Sequence, residues 1–325
     1  MQRFFDFDSG LAEACAAEFL TSDAGRAALP MGKTRPANFL RLDGASTSDR
    51  CVLRMDLGEG GDFVVKLNRM PREAGSTATE YRALRQAARR FDLQPDLGVV
   101  EALYLSRDET FMVSRFHKAH TLWERMHHDA PLTELFQHAG RWLSVLHSHG
   151  PAEEGQFWPK WIFDRLEQLH ARGPQARPAR YRPMIRTLRQ QVDGLRGRVF
   201  PRPFCHGDFH PRNLLIDGDR MLGLDMADAG QKLAVYDLVD FLKSDYRFDA
   251  SAEEIDAGGV RRHLRAALLQ GYGQPVDDAL VTFLLRAHML IRWLEIDKAR
   301  FADLPFQQNK YRQLEKRLDL AFAFT

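Results

Sequence analysis

The chain has 325 residues, 46 basic against 44 acidic side chains and a formal net charge of +2; 44% of it is hydrophobic and 28% charged. This excludes a disordered or collagen-like chain, and at about 100–200 residues per domain the length predicts two domains or one large two-lobed unit. Three widely spaced cysteines, Cys15, Cys51 and Cys205, form no CxxC pair, so neither a zinc ribbon nor a disulfide framework is expected, and a reducing compartment is. Asp6 and Asp8 stand where a signal peptide needs an apolar core, and no apolar run reaches about 18 residues. The expected location is the cytoplasm, with no transmembrane segment.

The first 30 residues read as a helix, with Leu11, Cys15, Phe19 and Leu20 at helical spacing and Ser9 as its cap. Strands are predicted at Asn38–Leu42, Cys51–Leu57 and Phe63–Leu67, separated by polar turns in the manner of an antiparallel meander. A helix opens at Pro71 and runs to about Phe91, followed by strands at Val99–Leu105 and Thr110–Phe116. Beyond about Lys118 the pattern turns helical, at Pro131–His149, Trp158–His170, Pro183–Leu195, Val235–Asp245, Ala252–Tyr272, Pro275–Ala299 and Pro305–Phe324. Short strand and loop signals over Phe204–Asp225 interrupt the helices. The chain therefore divides at about residue 117: a β-rich part, 1–117, and a helical part, 118–325.

The densest group of reactive side chains is His206-Gly207-Asp208-Phe209-His210-Pro211-Arg212-Asn213, with Asp225 twelve residues after Asn213. A carboxylate, an amide five residues on, a hairpin and a second carboxylate are the groups phosphoryl transfer needs. One carboxylate orients an acceptor hydroxyl, while an amide oxygen and a carboxylate suit Mg²⁺, a hard cation. The competing structural reading is an Asx turn around Pro211.

This segment resembles the catalytic loop of the aminoglycoside phosphotransferase/choline kinase-like family, whose fold is that of protein kinases. The resemblance spans about residues 38–245. It implies an α+β, protein kinase-like two-lobed fold. The N-terminal nucleotide-binding lobe would be an antiparallel five-stranded sheet with one main helix, and the helical C-terminal lobe would carry the catalytic loop and acceptor site. It makes Asp208 the catalytic base and Asn213 and Asp225 the magnesium ligands. The Asp–x4–Asn spacing also matches the protein-kinase loop, but Gly207 replaces its Arg and His210 follows two residues after Asp208, which favours a small-molecule kinase. His206 and His210 read as scaffold for the loop backbone, Asp217 and Asp219 as turn formers around Gly218.

Lys66 ends an apolar strand, an unusual place for a lysine without a partner. The resemblance pairs it with Glu80 beneath the nucleotide phosphates; Glu73 is the rival, in the first helical turn. Ser46 and Thr47, in the segment joining the first two strands, are candidates for phosphate contact, against an ordinary polar hairpin. Backbone groups around Ser114–Phe116 would meet adenine. Leu146-His147 resembles the family's helix end, and Asp237 its structural aspartate. Gly32-Lys33-Thr34 imitates the end of a Walker loop but lacks the first glycine, since position 27 is Ala27.

The implied cofactors are ATP and Mg²⁺, and the implied partner is a small hydroxylated acceptor such as a sugar, amino sugar, amino alcohol or aminoglycoside. Nucleic acid is not expected as a partner. Residues 171–202 carry nine Arg and one acid, Asp193, a local charge of +8 against −6 elsewhere. This reads as attraction for an anionic acceptor or as a solvated helix. A polycationic acceptor would instead need acids, for which Glu253, Glu254, Asp256, Asp277, Asp278, Glu295 and Asp297 are available. Two alternatives stand beside the small-molecule kinase. A protein kinase lacks support because Met226-Ala227, not Phe-Gly, follow Asp225. A nucleotide-binding regulatory pseudokinase is opposed by the intact set Lys66, Asp208, Asn213 and Asp225.

Overall fold

The computed structural model describes residues 8–29, 38–43, 49–58, 61–70, 76–128, 131–148, 153–172, 178–296 and 304–323. In chain order its elements are α1 (Ser9–Thr21), α2 (Asp23–Ala28), β1 (Asn38–Arg41), β2 (Arg50–Asp56), β3 (Asp62–Asn68), α3 (Ser76–Ala88), β4 (Leu97–Val99), β5 (Ala102–Leu105), β6 (Phe111–Arg115), β7 (His120–Thr121), α4 (Leu122–Arg125), α5 (Leu132–His147), β8 (Glu153–Gln156), α6 (Lys160–Arg172), α7 (Pro178–Asp193), β9 (Val199–Arg202), β10 (Phe204–Cys205), β11 (Leu214–Asp217), β12 (Arg220–Gly223), α8 (Val235–Leu242), α9 (Arg262–Tyr272), α10 (Asp278–Glu295) and α11 (Pro305–Ala323). The chain forms two compact units, each discontinuous in sequence. The first is residues 1–124, 206–208 and 212–230; the second is 125–205, 209–211 and 231–325.

The first unit is built on an antiparallel sheet of five strands in the order β1-β2-β3-β6-β5. Alternation decides its two faces. Cys51, Leu53 and Met55 of β2 and Phe63, Val65 and Leu67 of β3 are buried in one core with Cys15 and Phe19 of α1. The residues between them, Val52, Val64 and Lys66, belong to the opposite face and line a cleft. Helix α3 buries Ala78, Glu80, Ala83, Leu84 and Ala87, so Glu80 lies on its apolar stripe. A second, four-stranded sheet has the order β4-β12-β11-β7.

Several predicted elements differ from those observed; the helix expected from Pro183 begins at Pro178 and carries Pro183 inside it. The N-terminal helix is broken in two at Ser22, whose side chain accepts from Gly25 N–H and caps α2. Asp8, not Ser9, caps α1 by accepting from Leu11 N–H. The run Val99–Leu105 is split between two sheets, because Val100 donates to Gly223 O while Ala102 turns to pair with Ser114. Finally, Ala252–Tyr272 is helical only from Arg262. Asp256 accepts from Gly258 and Val260 N–H and holds the preceding segment in a turn.

The second unit is mainly helical, with β8 and β9 forming an antiparallel pair. Helices α5 and α9 cross in close contact. A Cβ at Gly140 would lie 2.2 Å from Leu268 O, and one at Gly271 1.9 Å from Gln137 O. Phe209 stacks between Trp142 and Phe241, at 5.3 and 5.2 Å. The carboxylate of Asp245 is wholly buried and is held by Arg261 and Arg317. No described helix is long and apolar enough to cross a membrane.

Candidate active site

The cleft of the first unit measures about 1240 Å³, and Lys66, Glu80, Ser114, Phe116 and Asp225 line it. Lys66 is its centre. Its Nζ lies 2.5 Å from Glu80 Oε2 and 2.7 Å from Asp225 Oδ1. The partnership with Asp225 has no signal in sequence spacing; it arises because β3 and the segment after β12 meet in the tertiary fold. Burial opposes the charge of Lys66, but the two carboxylates outweigh it and hold the lysine pKa above its ordinary value. Glu80 answers differently. It is more deeply buried, gives up more hydration than one shared ammonium returns, and its pKa is raised despite Lys66. The rival Glu73 lies outside the described residues, as do Ser46 and Thr47.

The residues from His206 to Asn213 are placed by local backbone geometry. Gly207 has φ +86°, a left-handed conformation in which a side chain is strained. That accounts for glycine where a protein-kinase loop has Arg. His206 donates through Nε2 to Leu224 O (3.0 Å) and accepts Asp208 N–H at Nδ1 (3.3 Å), so it fixes the backbone and has no free nitrogen for proton transfer. Asn213 donates from Nδ2 to Asp208 O (3.0 Å) and to Asp208 Oδ2 (3.3 Å). Its amide oxygen is thereby turned away from Asp208 and kept as an acceptor.

The hairpin β11–β12 then returns the chain. Leu214 faces Gly223, and Leu224 N–H donates to Asn213 O at 3.0 Å, which sets Asn213 across from the segment carrying Asp225. Asp225 has φ +58°, uncommon for a non-glycine residue, and its side chain is 43% exposed. With Oδ1 on Lys66, its second oxygen has no partner among the described residues. Asn213 and Asp225 are thus oxygen donors suited to a divalent cation. Asp208 and Asn213 do not themselves line the cleft, whereas Arg212 between them does, its guanidinium 5.1 Å from the Trp123 ring.

At the other end of the cleft, the backbone of Ser114 is taken up in the sheet, opposite Val64 and Ala102. Phe116 N–H is committed to Asp62 O at 3.1 Å, and its ring lies under Arg54. An adenine contact by the Phe116 N–H is therefore not available, because the pairing of this strand with β3 carries on through Phe116, the last residue of the predicted strand. Sequence reasoning overlooked His117 and the role of Asp217, read as a turn former. His117 Nδ1 lies 2.8 Å from Asp217 Oδ2.

In the second unit His147, Cys205 and Asp237 bring ligand-type atoms within 4.8 Å of one another. Their described hydrogen bonds are made with protein groups. His147 bonds Asp237 Oδ2 (3.1 Å) and the Tyr272 hydroxyl (2.9 Å), and Cys205 donates to Lys232 O (3.3 Å). Burial drives the Cys205 thiol pKa far up, so it stays protonated.

The phosphotransferase enzyme family matches the chain over residues 40–280. No curated protein matches at a significant level. Among solved structures, a choline/ethanolamine kinase family protein from Mesorhizobium loti is 18% identical, with 96% of this chain and 98% of that one covered and a TM-score of 0.58. Amicoumacin kinase, in complex with AMP-PNP, Ca²⁺ and Ami, is 15% identical, covers 96% and 94%, and has a TM-score of 0.58. A GDP complex of aminoglycoside 2′-phosphotransferase-IIIa is 14% identical, covers 94% and 98%, and has a TM-score of 0.57. The fold is the protein kinase-like one of these structures.

Proposed function

The chain belongs to the phosphotransferase enzyme family, and we propose that it moves the terminal phosphoryl group of ATP, bound with Mg²⁺, to a hydroxyl of a small acceptor. The observation that carries this reading is Lys66 clamped between Glu80 and Asp225 at 2.5 and 2.7 Å on one wall of the cleft. Glu80 holds the ammonium in place, and the ammonium is then presented to phosphate oxygens. Asn213 and Asp225 would hold the magnesium ion, which when bound neutralises charge on the phosphates. Asp208 would orient the acceptor hydroxyl and take its proton. Its carboxylate is itself positioned by Asn213 Nδ2. Catalysis of this kind rests on positioning and charge neutralisation. Residues 1–117 would hold the nucleotide and 118–325 the acceptor. A cytoplasmic setting suits an enzyme that draws on ATP and keeps Cys15, Cys51 and Cys205 as free thiols.

The test is nucleotide consumption, with ATP and with GTP, against sugars, amino alcohols including choline and ethanolamine, and aminoglycosides. One acceptor class is expected to stimulate turnover, and Asp208→Asn to lower kcat by about 10²–10⁴. Tight Mg·ATP binding with no acceptor-stimulated turnover across the panel would favour the regulatory pseudokinase instead.

A further inference from the structure

The segment linking β6 to β7 holds a side chain that the reading above leaves without a task. His117 lines the same cleft as Lys66. It lies two residues past β6 and three before β7, and β7 is anchored by its pairing with Leu215 and Ile216 of β11. The imidazole is tied to that same strand: Nδ1 is 2.8 Å from Oδ2 of Asp217, the last residue of β11, and the ring is 16% exposed. Asp217 is a carboxylate acceptor, so Nδ1 carries the proton, and in the neutral ring Nε2 is left as an acceptor. Nε2 has no partner among the described residues. A histidine oriented by a carboxylate, with its other nitrogen free at a cleft wall, is built to receive a hydrogen bond from a ligand.

Its place decides which part of the ligand. Lys66 and Asp225 mark the phosphate end of the cleft, and the strand end at Ser114–Phe116 marks the other. His117 follows that strand end directly and is bound to the hairpin that carries Asn213 and Asp225. A nucleotide spanning the two ends presents its sugar in between, and the sugar offers hydroxyl donors.

We propose that His117, held by Asp217, accepts a hydrogen bond from a ribose hydroxyl of the bound nucleotide and makes the site selective for ribonucleotides. This rests on the nucleotide reading above. It also gives Asp217 a positioning role.

Calorimetric titration of the full chain with ADP, 2′-deoxyADP and 3′-deoxyADP in the presence of Mg²⁺ tests it. The wild type is expected to bind ADP about three- to tenfold more tightly than at least one deoxy analogue, the span of a single hydrogen bond. His117→Ala should lose that preference by weakening ADP and whichever analogue keeps the bonded hydroxyl while leaving the other analogue unchanged, and Asp217→Asn should reduce it in part. Circular dichroism and a melting curve establish that each variant is folded. Equal weakening of ADP and both analogues in His117→Ala would overturn the proposal, since it would mean a purely structural role. So would a wild type that binds all three alike. A wild type that binds no ADP would sink the nucleotide reading itself, and this proposal with it.

Discussion

Replacing Glu80 by Gln separates stability from function at the centre of the cleft. The Lys66–Glu80 contact at 2.5 Å corresponds to an attraction of about 7 kcal/mol at an effective dielectric near 20. Its net value is far smaller. Glu80 is 4% exposed, and burial raises its pKa in spite of Lys66, so ionising it in place costs more than the pairing returns. Lys66 keeps its second partner, Asp225, at 2.7 Å, and a glutamine oxygen still accepts from the ammonium. The loss in stability is therefore expected to stay within about 1 kcal/mol, well under the 3–5 kcal/mol of a buried pair broken outright. Mg·ADP affinity is expected to fall about tenfold, because Lys66 is then drawn wholly onto Asp225 and away from the phosphates. The pH dependence has a sign. A carboxyl whose pKa is raised by folding contributes its full stabilisation below its ordinary range and loses it as pH rises through the raised value. The Gln variant should thus gain on wild type from acid toward neutral pH. Melting curves at two pH values and a Mg·ADP titration decide the matter. Unchanged nucleotide affinity with a drop of several kcal/mol would refute the reasoning and make the pair a structural one.

Other substitutions probe separate parts of the molecule. Asp225→Ala removes one proposed cation donor and one Lys66 partner; the magnesium concentration giving half-maximal nucleotide binding should rise at least tenfold, and an unchanged requirement would clear Asp225 of that role. Gly271→Ala forces a Cβ to within 1.9 Å of Gln137 O, so α5 and α9 must separate, at a cost of about 1–3 kcal/mol; Gly194→Ala, whose Cβ would meet nothing nearer than 3.9 Å, serves as the neutral control in the same denaturant titration. His288 packs 5.7 Å from the Trp161 ring, and burial, with Lys243 and Arg292 nearby, lowers its pKa to about 3. A depressed histidine contributes stability that is present above about pH 6.5 and lost as pH falls through 3. His288→Leu should flatten the acid limb of the stability curve between those values, and an identical limb would remove His288 from the account.

How much of this the sequence discloses depends on the range of the interactions. The strands and their core face were legible because the period of two is local: Phe63, Val65 and Leu67 alternate with Val64 and Lys66 in any register. The return of Asp225 toward Asn213 was legible because one short hairpin joins them. The contact between Lys66 and Asp225 was not, since 159 residues separate them. Nor was the tie of His117 to Asp217, across 100 residues. Elsewhere a side chain overrode the periodic pattern. Ser22 caps a second helix within what reads as one helical run, and Asp256 turned a predicted helix into a loop by binding two backbone N–H groups.

The charge pattern is the clearest case of sequence and structure parting. The +8 of residues 171–202 is a sum along the chain, whereas a field depends on neighbours in space. Within the second unit Arg180 meets Glu315 at 2.5 Å, Arg189 meets Glu167 at 3.1 Å, and Arg198 meets Asp277 at 2.7 Å. Such exposed pairs contribute about 0–1 kcal/mol each to stability. What they change is reach: opposite charges some 3 Å apart act as a dipole, whose influence dies well inside the screening length of about 8–10 Å. Several acids considered for a polycation are engaged in the same way. Asp256 and Asp278 hold Arg265, Glu295 holds Arg165, and Asp277 both caps α10 and holds Arg198. The two opposed electrostatic readings of the acceptor therefore weaken together, because several of the arginines and acids on which each was built are partners of one another or of nearby groups.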